Sequence, residues 1–336
     1  MPPLPLSTPE RSTAKALLDT PSDQSNSLTD PLPKILILLA SYNGGRWIRA
    51  QIKSILAQQG VEVQLLIRDD GSTDTTLTEA QKIAEGDARV MLIPPSGRAP
   101  SASQNFLALV AATEADGFDL VALSDQDDIW MPEKLRRAHQ ALQRTAAAGY
   151  SSATIAEWPN GRRKILRQSP KTTATDFLFE GAGQGCTFVL SVEFYRRCRQ
   201  FLAANPTLSL GLHFHDWMFY ALARAWRLDW CFDPLPTMIY RQHDANDTGS
   251  RGTASGLTMR LHRIRTHWYS TQIKKIAEIC ATAAPWDRDI QALRSALMLR
   301  RGWRRSAELA KICTSGGRRR PLDNAVLITA CLAGWI

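Results

Sequence analysis

The chain has 336 residues, 44% of them hydrophobic and 22% charged. These are ordinary globular values, which exclude wholesale disorder and leave room for one or two domains. The net charge of +9 is uneven: residues 251–336 carry 16 Lys and Arg against 5 Asp and Glu, a net +11, and residues 1–250 stand at −2. Such asymmetry speaks to a partner, not to the fold.

Residues 1–33 are rich in Pro, Ser, Thr and Asp without apolar periodicity, which predicts a disordered leader. Its start, Met1-Pro2-Pro3-Leu4-Pro5, has neither the basic nor the apolar region of a secretory signal. Lys34 to Ala40 is a continuous apolar run, as expected of a strand covered on both faces. Trp47, Ile48, Ile52, Ile55 and Leu56 follow at helical spacing. Val61 to Ile67 then reads as a strand. A second helix is lined by Leu77, Ala80 and Ala84, with Ser72 or Asp74 as its cap. Arg89–Ile93, Ser103–Ala112 and Asp119–Leu123 read as strand, helix and strand, and Pro132 opens a helix to about Ala148. Further on, strands are expected near 151–156, 184–190 and 235–240, and helices near 191–203 and 214–226. Three basic helical stretches follow at roughly 256–281, 286–300 and 302–314. Alternating strand and helix predicts an α/β fold with a mostly parallel sheet flanked by helices, and a helical C-terminal extension. The expected organisation is a leader 1–33, a catalytic domain 34–250 and a basic extension 251–336.

In open α/β sheets, ligands bind beyond the carboxyl ends of the strands. Three polar clusters fall there: Ser41-Tyr42-Asn43, Asp69-Asp70-Gly71-Ser72, and Ser124-Asp125-Gln126-Asp127-Asp128. A turn and a helix cap would account for Asp69 and Asp70. Three carboxylates crowded after the fourth strand repel one another unless a cation sits among them. No GxGxxG follows the first strand, and GxxxxGK[ST] is absent, so phosphates need another charge partner. Mg²⁺ or Mn²⁺ held by Asp125 and Asp127 is the natural one.

Leu38-Leu39-Ala40-Ser41-Tyr42-Asn43-Gly44, Ile67 to Asp74, and Ser124-Asp125-Gln126-Asp127-Asp128-Ile129-Trp130 together resemble family 2 glycosyltransferases of the GT-A fold. The last segment is similar to the DxD region of the bacterial rhamnosyltransferase-like branch. Gly185-Cys186-Thr187, His215-Asp216-Trp217 and Tyr240-Arg241-Gln242-His243 extend the resemblance, which covers about 34–250. It implies a GT-A nucleotide-diphospho-sugar transferase. Ser41 and Tyr42 would line the nucleotide pocket, and Asp70, with Asp69 near it, would face base and ribose. Asp127 would be the direct metal ligand, with Asp125 contacting ribose or metal. Asp216 takes the place of the catalytic base, and Arg241 and His243 lie where a closing loop reaches the diphosphate. Without the resemblance, Asp216 could be a helix cap and His243 a loop histidine. The stretch Pro94-Pro95-Ser96-Gly97-Arg98-Ala99-Pro100 departs from the family's Asn/Gly-rich turn.

The implied reaction is metal-dependent, inverting transfer of a sugar, rhamnose from dTDP-rhamnose being the donor suggested, onto a surface polysaccharide or lipid-linked glycan. Two other readings are disfavoured. A sugar-phosphate nucleotidyltransferase would need a glycine-rich basic loop after the first strand. A nucleic-acid-binding protein using the basic tail would find its phosphates repelled by the acidic strand ends, and no nucleic-acid partner is expected. Basic and aromatic residues on the C-terminal helices suit an anionic membrane surface. The implied home is cytoplasmic, peripheral on the inner face of the cell membrane. Helices simply packed on the catalytic domain are the plainer alternative. The longest apolar run, Ala325 to Ile336, falls short of the roughly 18 residues a span needs. The six cysteines form no CxxC, which signals neither a zinc knuckle nor a disulfide framework and suits a reducing compartment. Cys186 reads as a packing residue, and His139, on an apparently solvated helix face, is given no role.

Overall fold

The computed structural model of the chain describes residues 31–94, 97–243 and 266–336. Residues 1–30 of the expected leader and the first part of the helix expected over 256–281 lie outside the described residues. β1 (Lys34–Ser41), α1 (Ile48–Leu56), β2 (Glu62–Asp69), α2 (Thr76–Gly86), β3 (Val90–Ile93), α3 (Ala102–Ala112) and β4 (Leu120–Ser124) follow the expected alternation. β5 (Ile129–Trp130), α4 (Lys134–Thr145), β6 (Gly149–Glu157), β7 (Arg163–Leu166), β8 (Val189–Ser191), α5 (Val192–Ala204), α6 (His215–Ala225) and β9 (Trp230–Arg241) complete the first part. Four helices close the chain: α7 (Trp268–Ala283), α8 (Arg288–Met298), α9 (Trp303–Gly316) and α10 (Pro321–Leu332).

The sheet runs β3-β2-β1-β4-β8-β6-β9-β5, with β7 beside β6. From β3 to β4 it is parallel. β8 is antiparallel to both β4 and β6, and β5 to β9, so the sheet is mixed beyond β4. The apolar run of β1 reflects burial on both faces. Leu36, Leu38 and Ala40 point into one core, with α3, α5 and α6. Ile35, Ile37 and Leu39 point into the other, with α1 and α4.

Three local expectations change. The N-cap position of α2 falls on Thr75, whose side chain makes no cap bond, and Asp74, one of the two expected caps, accepts the first helical N–H, of Thr76, at 2.9 Å. Leu77 is exposed rather than core-facing. α4 ends at Thr145, where Ala146 turns left-handed at φ 49°. Helix α10 arises from the apolar stretch after Pro321, which starts the helix because its missing N–H is not needed there.

Leu32–Ile336 form one compact unit. The C-terminal helices share the larger core: Ile273, Ile276, Cys280, Leu293, Leu309 and Leu327 are buried with Trp217 and Phe219 of α6. A buried ion-pair network fastens them. Arg319, between α9 and α10, reaches Asp176 at 2.9 Å and donates to the Gly181 carbonyl at 2.6 Å, while its backbone N–H donates to Glu180. Asp176 also accepts from Tyr220 at 2.6 Å and Arg224 at 3.0 Å.

Candidate active site

The register places Ser41 opposite Asp69 and Leu39 opposite Ser124, so β1, β2 and β4 deliver their polar ends to one edge. Ser41 is buried, and its hydroxyl donates to Asp69 at 2.9 Å. Asp69 also accepts from the Ser72 hydroxyl at 2.6 Å and the Ser72 and Gly71 amides at 2.8 and 3.1 Å. It therefore holds the loop after β2. Asp70 is buried against Arg68 at 3.0 Å and accepts the Ala99 N–H at 2.7 Å. Arg68 reaches on to Asn105 and to the Gly97 carbonyl. The signal in the sequence for this network is an arginine placed directly before the Asp69-Asp70 pair at the end of β2.

Tyr42 is partly exposed, with the Arg98 guanidinium 4.8 Å from its ring centroid. Its backbone N–H and carbonyl are both held by the Gln126 amide, at 2.9 and 2.8 Å. Gln126 thus ties the first strand's loop to the fourth's. It passes so close to Gly44 that a Cβ there would lie 2.2 Å from its side chain.

The acids after β4 divide. Asp127 meets His243 Nε2 at 2.7 Å, and the His243 ring stacks on Trp47 at 4.1 Å. Arg241 reaches the Asp127 carbonyl at 3.4 Å. Asp125, Asp128 and Cys186 present their donor atoms within 4.8 Å of one another. Asp128 is fully buried, and its carboxylate has only weak contacts, with the Cys186 thiol and the Arg241 N–H, and no well-formed hydrogen bond. Burial first, then the charges of Asp127 and Asp125, push its carboxyl well above the ordinary range. Lys134 is also fully buried, 4.1 Å from the Trp130 ring centroid. Burial lowers its ammonium to about 8, against the opposing pull of Cys186 and Asp128. Cys186 thus has a basic neighbour that the sequence did not reveal, yet burial and the adjacent acids hold its thiol protonated. Nothing in the sequence marks Lys134, at the start of an amphipathic helix, as buried.

This donor set suits a hard divalent cation. Asp125 and Asp128 present carboxylate oxygens within 4.8 Å of one another, whereas Asp127, next in the chain, turns to His243, and a cation between the two close acids would offset the repulsion that raises Asp128. Two carboxylates against a single thiol favour a hard metal over a soft one.

Asp216 sits in the first turn of α6, half-buried, its carboxylate accepting the Trp217 N–H at 2.7 Å. Burial pushes it up to about 6, against stabilising amides of Trp217 and Gly185. The N-cap residue, Phe214, offers no side-chain acceptor, so Asp216 also satisfies one first-turn amide of the helix. His215 stacks on Phe106 at 4.1 Å, and burial lowers it to about 3, so it is neutral. The chain packs tightly here, because a Cβ on Gly185 would lie 3.0 Å from His215 Nε2 and 3.1 Å from Asp216 Cβ. Gly185 and Cys186 are consecutive, so this short segment joins the Asp216 side to the Asp125–Asp128 cluster. His139 is half-buried rather than solvated and lies away from these residues, at a cavity lined by Asp119, Ser191 and Arg197.

Comparison with known proteins agrees with this arrangement. The profile "Glycosyl transferase family 2" matches residues 36–197. The dTDP-rhamnosyl transferase RfbG of Shigella flexneri is 35% identical over 72% of this chain and 84% of its own length. Among solved structures, S. aureus TarS 1-349 aligns with a TM-score of 0.54 at 13% identity, over 90% of this chain and 89% of that one. The mannosyltransferase PcManGT from Pyrobaculum calidifontis, solved with GDP-Man and Mn²⁺, aligns with a TM-score of 0.50 at 17% identity, over 95% and 90%. At such identities the last two speak to the fold alone. The strand-end clusters, the mixed sheet and the likeness to a rhamnosyl transferase lead to one conclusion: this chain is a glycosyltransferase of family 2 with the GT-A fold.

Proposed function

We propose that the protein is an inverting, metal-dependent transferase that moves rhamnose from dTDP-rhamnose to a hydroxyl of a surface polysaccharide or lipid-linked glycan. The observation that carries this reading is the pairing of two chemistries across Gly185-Cys186. On one side is a lone carboxylate raised to about 6, on the other a crowded set of acids. The choice of donor rests on the likeness to RfbG.

Tyr42, Asp69, Asp70 and Arg98 stand at the nucleotide end, with Ser41 behind them fixing Asp69. The acceptor hydroxyl loses its proton to Asp216 as its oxygen bonds to the anomeric carbon. The bond from that carbon to the diphosphate breaks on the opposite face, giving inversion. Arg241 and His243, at the end of β9 beside Asp127, are placed to meet the charge growing on the leaving diphosphate. Asp125 and Asp127 would hold Mg²⁺ or Mn²⁺, which supplies Lewis-acid stabilisation of that same charge. Arg241 and His243 would carry the leaving group's charge, so no residue is assigned as a second proton donor.

We place the enzyme at the inner membrane surface, with the basic C-terminal helices facing anionic lipid. Trp286, Met298, Trp303 and Leu322 are exposed there. Among the described residues, no helix is long and apolar enough to cross a membrane.

The test is turnover of dTDP-rhamnose by the wild type and by Asp216→Asn, with donor affinity measured on both. A fall in turnover of about 10²–10⁴-fold with donor binding retained is expected for loss of a general base. Equal turnover would refute the role, and a retained anomeric configuration in the product would refute inversion.

A further inference from the structure

We propose that Arg301, Arg305 and Lys274 form a binding site for a phosphate group, occupied by the head group of an anionic membrane lipid. This deepens the membrane reading above and rests on it.

The principal observation is Arg305. It lies in the first turn of α9 and is only 4% exposed, yet its Nε and Nη2 have no hydrogen-bond partner. A buried guanidinium without an acceptor is costly unless an anion completes it. Arg301 precedes the same helix and donates from Nη1 to His267 Nε2 at 2.8 Å. His267 Nδ1 lies 2.9 Å from the Trp335 carbonyl, which only a donor can satisfy. His267 is therefore neutral with its proton on Nδ1, and it orients Arg301 without offsetting its charge. Lys274 is exposed on α7. Desolvation and the positive charges of Arg305 and Arg301 hold its ammonium below the usual range, so the three cations lie within electrostatic reach of one another. None of them forms an ion pair with a described carboxylate.

Two features select the ligand. The N-cap of α9, Gly302, has no side chain to satisfy the first amides, so the helix end favours an anion as well. The adjoining turn exposes Met298, Leu299 and Trp303, at 79, 44 and 75%. A free phosphate would have no use for that rim, whereas acyl chains and the glycerol region would cover it. Residues 294–305 contain five arginines and no acid, which matches an anionic surface in sign.

The experiment measures binding of the full chain to phosphatidylcholine vesicles with and without phosphatidylglycerol, and melting with and without inorganic phosphate at matched ionic strength. The wild type is expected to bind only the phosphatidylglycerol vesicles and to be stabilised by phosphate. Lys274→Gln and Arg301→Gln should each weaken vesicle binding about fivefold. Arg305→Met should weaken it too and lose the phosphate effect, while melting no lower than the wild type without phosphate. Unchanged vesicle binding by all three variants would overturn the site while leaving the membrane reading intact. Absence of vesicle binding by the wild type would overturn both, and phosphate stabilisation without it would assign the site to a soluble phosphate instead. A much lower melting point for Arg305→Met would mean that Arg305 is a structural residue, and that too overturns the proposal. Lys274 is exposed, so its variant keeps the test available if Arg305→Met does not fold. Loss of turnover does not bear on these outcomes, which separates failure of the site from failure of the transferase reading.

Discussion

Replacing Arg319 by Met removes the ion at the centre of the network joining the C-terminal helices to the rest of the unit. The Arg319 side chain is 1% exposed and those of its partners Asp176 and Glu180 are 0% and 6%. Methionine fills much of the volume but leaves Glu180 with Arg318 at 3.4 Å and the backbone N–H of residue 319, and Asp176 with Tyr220 and Arg224. Removing one partner of a buried pair typically costs about 3–5 kcal/mol. Asp176 keeps two of its three side-chain donors, which argues for the lower end, about 3 kcal/mol. The loss of the Gly181 carbonyl's donor adds to it. Urea unfolding followed by tryptophan fluorescence would read this as a lower midpoint with an unchanged slope. Asp176→Asn in the same background should cost less than it does alone, because the two changes share one network. A loss below about 1 kcal/mol, or full additivity of the two substitutions, would show that the network is not what fastens the C-terminal helices. The same network makes deletion of residues 251–336 a poor probe of membrane binding, since it would strip one side of the core. Point substitutions are the cleaner test.

Asp216 must be ionised to take a proton, so kcat/KM should be level above pH about 6 and fall tenfold per pH unit below it, measured with saturating metal. A profile with no acid limb near that pH would exclude the raised carboxyl as the base. Its folded pKa is raised, so ionisation between about 4 and 6 lowers stability as pH rises. Asp216→Asn should therefore melt no lower than the wild type at neutral pH. Asp127→Asn should abolish metal-dependent turnover while leaving the melting point within a few degrees, because its carboxylate faces His243 and not the core. Full turnover by that variant, or by wild type in excess chelator, would refute metal dependence. Gly149→Ala should destabilise by about 1–3 kcal/mol by overpacking, because its Cβ would lie 2.4 Å from the Trp230 ring. A calorimetric melt equal to the wild type would show that Trp230 can move aside.

The sequence by itself determined the order of elements through β4 and the edge where the polar clusters collect. Both follow from local chemistry: continuous apolar runs demand burial on two faces, and side chains at parallel strand ends share one edge. It also singled out candidates: Asp125 and Asp127 by the crowding of acids after β4, and Asp216 through the resemblance to the family. Tertiary structure decided the rest. Asp128 and Asp127 are adjacent in sequence, yet one is fully buried beside Cys186 and the other faces His243, some 116 residues away. Lys134 reads as an amphipathic-helix lysine, but β9 and the Gly185–Thr187 turn close over it. The basic C-terminal residues read as one charged face. Folding divides them into Arg319, which is paired and buried, Arg305, which is buried without a partner, and Arg300 and Arg304, which are exposed. Charge is written in the sequence, whereas the solvation and pairing that set its energy come from residues far along the chain.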